Sequence, residues 1–219
     1  LENLEGGMRE RYFVGVDLGQ KLDYTAIAVV ERWEAAGELD RWSWERLKEV
    51  GYRLRHLERL ALGTPYPEVV ARVREVARSG ELAGRCTVVA DATGVGGPVI
   101  DMLRGAELGC ELMAVTITGG ERASRASRSD GGWKVPKRDL VVGLEVMLET
   151  GSLRIAAGLR EGETFIKELT GMRVKVSAGR REQFGAWREG THDDLVLAAA
   201  LACWRARWAG VGGQGRRLI

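Results

Sequence analysis

The chain has 219 residues, of which 45% are hydrophobic and 29% charged, a balance that supports one folded domain with a sizeable core and excludes wholesale disorder. Its net charge of +2 excludes a protein that relies on overall charge to attract nucleic acid. No run reaches the roughly 18 to 20 apolar residues of a membrane span, no basic-then-apolar leader opens the chain, and Cys86, Cys110 and Cys203 stand apart inside apolar stretches. A membrane span, a disulfide framework and a zinc knuckle are therefore not expected, and a cytoplasmic setting with core thiols is.

Residues 1–10 have no pattern and read as a tag or linker ahead of a domain over 11–208, and the glycines Gly212, Gly213 and Gly215 mark 209–219 as a flexible tail. YFVGVDLG (12–19) and DYTAIAVVERW (23–33) are β-branched apolar runs separated by turn residues, and they predict a strand hairpin. YRLRHLERLAL (52–62) predicts a third strand with Tyr52, Leu54, His56 and Glu58 on one face, although its second half also fits a helix. TPYPEVVARVREVARSG (64–80) has prolines at its start, Val69, Val70, Val73, Val76 and Ala77 at helical spacing, and Gly80 as its stop.

RCTVVADATG (85–94) is a buried-strand pattern ending on Asp91, and the following GVGGPVIDMLRGA predicts a helix that Pro98 can open. CELMAVTIT (110–118) predicts another strand, PKRDLVVGLEVMLETG (136–151) a helix, SLRIA (152–156) a short strand, 159–169 a helix, MRVKVSA (172–178) a strand, and 192–208 a closing helix. An antiparallel opening followed by strand–helix alternation implies an α/β fold, a mixed β-sheet with helices on both faces.

The acids are placed in a telling way. Asp17 ends the first strand and Asp91 the fourth, and if those strands are neighbours the two carboxylates meet at one edge of the sheet, where open α/β sheets bind ligands. Asp193 and Asp194 open the last helix, whose N-terminus can aim at the same spot. Capping explains one acid there, not two. Clustered carboxylates repel unless cations neutralise them, and hard oxygen donors suit Mg²⁺ or Mn²⁺. Two such ions about 3.5 to 4 Å apart can drive phosphodiester hydrolysis.

Residues 122–138 carry Arg122, Arg125, Arg128, Lys134, Lys137 and Arg138 against Asp130 alone, which suits either a solvated loop or, with the glycines on its flanks, a mobile loop closing on a phosphate backbone. Arg125, Arg128, Lys134, Lys137 and His192 are the candidate DNA contacts. The tryptophans read mostly as packing residues, with Trp204 and Trp208 on one helix face and Trp133 placed where it can stack on a base.

GVDLG, VVADATGVGGP, VPKRDLVVGLEVMLETG and THDDLVLAAALACW together resemble the nuclease domain of bacteriophage large terminases, which has a ribonuclease H-like fold. The resemblance spans about residues 11–208. It implies a metal-dependent endonuclease that cuts double-stranded viral DNA during genome packaging in a bacterial host. By motif position, Asp17, Asp91 and Asp194 are the implied catalytic metal ligands for two Mg²⁺ or Mn²⁺ ions, with Asp193 in the same cluster. The implied partners are double-stranded DNA, a packaging ATPase domain, the terminase small subunit and the portal. No GxxxxGK[ST] phosphate loop is present, so the motor is not expected on this chain, which leaves an excised domain or a free-standing nuclease.

GVDLG and DATGVGG are also similar to the phosphate loops of the sugar-kinase, actin and heat-shock ATPase superfamily, but that site needs two such domains and leaves Asp193 and Asp194 unused. A Holliday-junction resolvase and a catalytically silent DNA-binding or assembly module of the same fold stay open as alternatives.

Overall fold

The computed structural model describes residues 11–19, 23–39, 41–42, 44, 46–94, 96–126, 132–176, 182–185 and 192–209. Three antiparallel strands open it: β1 (Tyr12–Asp17), β2 (Ala26–Leu39) and β3 (Arg46–Arg59). They are followed by α1 (Tyr66–Ala77), β4 (Cys86–Asp91), α2 (Gly96–Gly105), β5 (Glu111–Thr118), β6 (Ser124–Arg125), β7 (Trp133–Pro136), α3 (Lys137–Glu149), β8 (Leu153–Ile155), α4 (Gly162–Gly171), β9 (Arg173–Val176), β10 (Glu182–Gly185) and α5 (Asp194–Trp208). Eight strands form one mixed sheet in the order β6-β7-β5-β4-β1-β2-β3-β8, and β9 and β10 pair separately. β4 lies parallel to β1, as the placement of the two acids required, with Val16 beside Ala90.

Period-two alternation assigns the two faces of the sheet. On β1, Tyr12, Val14 and Val16 enter a core with α1 and α2, whereas Phe13 enters the core built around α5. Gly15 and Asp17 share the parity of Phe13, and on β4 Asp91 shares that of Val89, so both carboxylates stand on the α5 side. α5 itself is buried all round, from Asp194 to Ala206, because the sheet covers one side and α3 and α4 the other. That explains a helix whose sequence is apolar on every face.

Gly15 lets this helix sit directly on β1: a Cβ there would come within 1.9 Å of the Ala198 carbonyl oxygen. Toward the other end of α5, Trp204 stacks edge-on against Trp133 with centroids 5.6 Å apart and lies 6.5 Å from Trp208. The base-stacking role open to Trp133 is thereby replaced by packing, with Arg125 over its exposed side at 5.4 Å.

β3 departs from the expected alternation. Val29 pairs with His56 but Val30 pairs with Leu54, so Arg55 is an extra residue in a β-bulge. The phase flips there: Leu54 and Leu57 both enter the α5 core, His56 and Glu58 turn toward α1, and Arg59 faces α5. β2 and β3 also run well beyond β1, whose last partner is Glu31, and form a projecting two-stranded ribbon with Trp42 and Trp44 exposed near its turn. Within the described part of the basic segment, Ser124 pairs with Lys134 and Arg125 with Trp133 as strands, and α3 starts at Lys137. Arg128 lies outside the described residues. Cys86 and Cys203 are buried and Cys110 is half-buried. Among the described residues no helix is long and apolar enough to cross a membrane.

Candidate metal centre

The C-terminal ends of β1 and β4 present Asp17 and Asp91 side by side, and the first turn of α5 delivers Asp194 to the same place. Asp17 and Asp194 are buried and Asp91 and Asp193 are half-buried. Burial holds the Asp17 carboxyl well above its ordinary pKa, with the charges of Asp91, Asp194 and Asp193 adding to the effect and Lys137 opposing it. Burial also raises Asp91, against the hydrogen bonds from Thr93. Asp194 is pushed up to about 6 by burial, opposed by Arg59 and His192. Asp17, Asp91 and Asp194 are thus all held against ionisation, a strain that a bound cation would relieve.

Each acid is held differently. Asp91 Oδ1 accepts from the Thr93 amide at 2.8 Å and from its hydroxyl at 2.5 Å, and the same hydroxyl oxygen accepts from the Ile117 amide at 2.8 Å. Thr93, two residues past the end of β4, thus fixes one oxygen of Asp91. Lys137, the first residue of α3, donates to Asp193 Oδ2 at 2.7 Å, so this candidate DNA contact is turned into the acidic cluster. Asp194 Oδ2 lies 3.7 Å from Arg59 and 3.6 Å from His192 Nδ1, yet it is buried and makes no hydrogen bond. His192 packs edge-on against Tyr24 at 5.0 Å, and the Arg59 guanidinium lies over the Tyr24 ring at 4.5 Å. Asp23, in the β1–β2 connection, brings a carboxylate within 4.8 Å of ligand atoms of His192 and Asp194.

The capping alternative is answered by geometry. Asp193 occupies the N-cap position of α5 but its side chain makes no capping hydrogen bond. The free amides of Leu195 and Val196 are taken instead by Glu168 of α4, at 3.0 and 3.2 Å. Glu168 in turn forms an ion pair with Arg59. An orphaned buried carboxylate oxygen, in a group where ligand atoms of Asp23, His192 and Asp194 all lie within 4.8 Å of one another, fits a divalent cation such as Mg²⁺ or Mn²⁺.

Sequence reasoning did not find Glu168, Arg59, Asp23 or Thr93 as members of this site. Glu168 had one signal: it lies three residues after Phe165, on the buried face of an amphipathic helix where an acid needs a reason. Of the remaining DNA-contact candidates, Arg125 and Lys134 are exposed on β6 and β7 and His192 is part of the acidic cluster.

No protein-family model and no curated protein sequence matches the chain. Solved structures do. The large terminase nuclease of thermophilic phage G20c with bound magnesium superposes with a TM-score of 0.59 at 24% identity, over 89% of this chain and 81% of that one. A mutant nuclease domain of the large terminase subunit of bacterial virus Sf6, with manganese and β-thujaplicinol, gives 0.58 at 12% identity over 90% and 89%. The human cytomegalovirus terminase nuclease domain, manganese-soaked, gives 0.51 at 10% identity over 92% and 86%. At these identities the likeness establishes the fold: the chain has the ribonuclease H-like fold of large-terminase nuclease domains, an architecture on which several of those domains bind divalent metal.

Proposed function

We propose that this chain is a divalent-metal-dependent endonuclease that cuts double-stranded DNA, in the manner of a large terminase nuclease acting during genome packaging with a packaging ATPase, terminase small subunit and portal as its partners. The observation that carries the reading is the buried, unpartnered Asp194 Oδ2, together with Asp17 and Asp91, two carboxyls that burial holds against ionisation and the first of which the charge of Asp194 raises further. In this reading Asp17, Asp91 and Asp194 hold two Mg²⁺ or Mn²⁺ ions and Asp193 is an adaptable fourth acid. Ions bound there would lower the pKa of an attacking water and offset charge on the leaving oxygen.

The chain's own residues do the rest. Thr93 orients Asp91, leaving its second oxygen for a ligand. Lys137 offsets the charge of Asp193 and stands ready to meet a phosphate oxygen. His192, held edge-on by Tyr24, is a further phosphate contact in this scheme. Arg125, Arg128 and Lys134 steer the DNA backbone without reading bases.

Plasmid and linear duplex cleavage with Mn²⁺ or Mg²⁺ tests this. Asp17→Asn, Asp91→Asn and Asp194→Asn are each expected to abolish cleavage, as is EDTA, and Asp193→Asn to reduce it. Wild-type rates in any of the first three would remove the assigned site, and a strong preference for four-way junctions would favour a resolvase. Binding measured in Ca²⁺ should weaken with salt, and neutralising Arg125, Arg128 and Lys134 together should flatten the log–log slope by about 0.9 for each DNA phosphate no longer neutralised by the protein.

A further inference from the structure

Glu168 and Arg59 form a clasp whose geometry goes beyond the metal ligands. Glu168 comes from α4 and is buried, with 8% of its surface exposed. Its Oε2 accepts from both the Leu195 amide at 3.0 Å and the Val196 amide at 3.2 Å, the donors at the first turn of α5. Its Oε1 takes the Arg59 guanidinium, brought to this face by the bulge at Arg55. The same guanidinium lies 3.7 Å from Asp194 Oδ2 and is stacked on Tyr24. One cation is therefore shared between Glu168 and Asp194, while the peptide amides that follow Asp194 in the chain are pinned to another helix.

The clasp also closes a long excursion. Glu168 and Leu195 are 27 residues apart in the chain, and β9 and β10, which lie between them, form a sheet of their own rather than joining the main one. Without a contact at its base, a segment of that length would leave the start of α5 to be positioned by its apolar packing alone, which fixes depth in the core better than it fixes the rotation of a terminal carboxylate. Hydrogen bonds to two successive amides fix that rotation.

We propose that Glu168 is a positioning residue for Asp194, and that Arg59 completes the device by holding Glu168 in place beside the Asp194 carboxylate. This rests on the reading of Asp194 as a metal ligand. Partners of this kind typically contribute about 10- to 100-fold to metal affinity.

The test is Mn²⁺ binding by the whole chain, followed by the electron paramagnetic resonance of free Mn²⁺, alongside single-turnover cleavage across a Mn²⁺ titration, with melting temperature measured in EDTA. Glu168→Gln is expected to weaken Mn²⁺ binding about 10-fold or more, and to raise the half-maximal Mn²⁺ concentration to match. Arg59→Lys keeps the charge but loses the fork between Glu168 and Asp194, and should give a smaller shift in the same direction. A lower melting temperature with unchanged Mn²⁺ binding in both variants would overturn the proposal and leave a structural ion pair. If Asp17→Asn abolishes cleavage while Glu168→Gln leaves the Mn²⁺ dependence unmoved, the clasp fails and the nuclease reading stands. If the wild type binds Mn²⁺ but never cleaves DNA, the nuclease reading fails and the binding measurement still decides the clasp.

Discussion

Asp194 concentrates the physics of this protein in one side chain. Its carboxyl titrates at about 6 in the fold, and Asp17 and Asp91 are also held above the ordinary aspartate value of 3.8. A folded-state pKa above the unfolded one means that the folded chain keeps a proton the unfolded chain releases. The stability this contributes is fully present below about pH 3.8 and is lost as pH rises through about 6. In EDTA, therefore, the gap between Asp194→Asn and wild type should widen from acid to neutral pH, with the variant melting higher at pH 7.5. A gap of about 1 kcal/mol corresponds to about 2–4 °C in a chain of this size. Parallel melting curves for the two proteins across pH 4.5 to 8 would show that Asp194 carries no such penalty. Saturating Mn²⁺ should narrow the gap, since a ligand bound only by the folded wild type stabilises it by mass action.

At the scale of elements, the site depends on how closely α5 approaches β1. Gly15 has ordinary strand geometry, and what it supplies is space: the Ala198 carbonyl occupies the volume a Cβ would need. Gly15→Ala must push the helix outward or bend the strand, at a cost of about 3 kcal/mol. A lower denaturant midpoint at unchanged slope should report this, together with weaker Mn²⁺ binding, because the displaced helix carries Asp194. A midpoint equal to that of wild type would mean that the helix has room to spare.

The strand carrying Asp17, the strand carrying Asp91 and the helix opening at Asp194 were all readable from alternation and run length, because burial on both faces leaves apolar runs and acids at their ends stand out. The parity of Asp17 with Phe13 and of Asp91 with Val89 was equally available in the sequence. The phase of β3 was not. An extra residue at Arg55 has no glycine or proline to mark it, and a one-residue slip exchanges every side chain between faces, so Arg59 counts to the wrong side. Glu168 was illegible for another reason: its partners are backbone amides 27 and 28 residues away, and backbone groups leave no trace in composition.

Across the whole molecule, the sheet divides two cores, with α1 and α2 on one face and α3, α4 and α5 on the other. The acids gather where β1, β4 and α5 end or begin, so one rigid helix links the candidate metal centre to the far wall of the second core. The aromatic residues turn this arrangement into an optical property. Trp42 and Trp44, 95% and 77% exposed on the projecting ribbon, emit from water. Trp204, packed between Trp133 and Trp208, emits from the interior, about 15 Å along α5 from Asp194 at 1.5 Å per residue. Iodide should quench the first group and spare the second, giving a downward-curving Stern–Volmer plot. A shift of α5 when Mn²⁺ binds should then appear in the blue, iodide-resistant component that Trp204 supplies, so the protein carries its own spectroscopic gauge of the helix that presents Asp194.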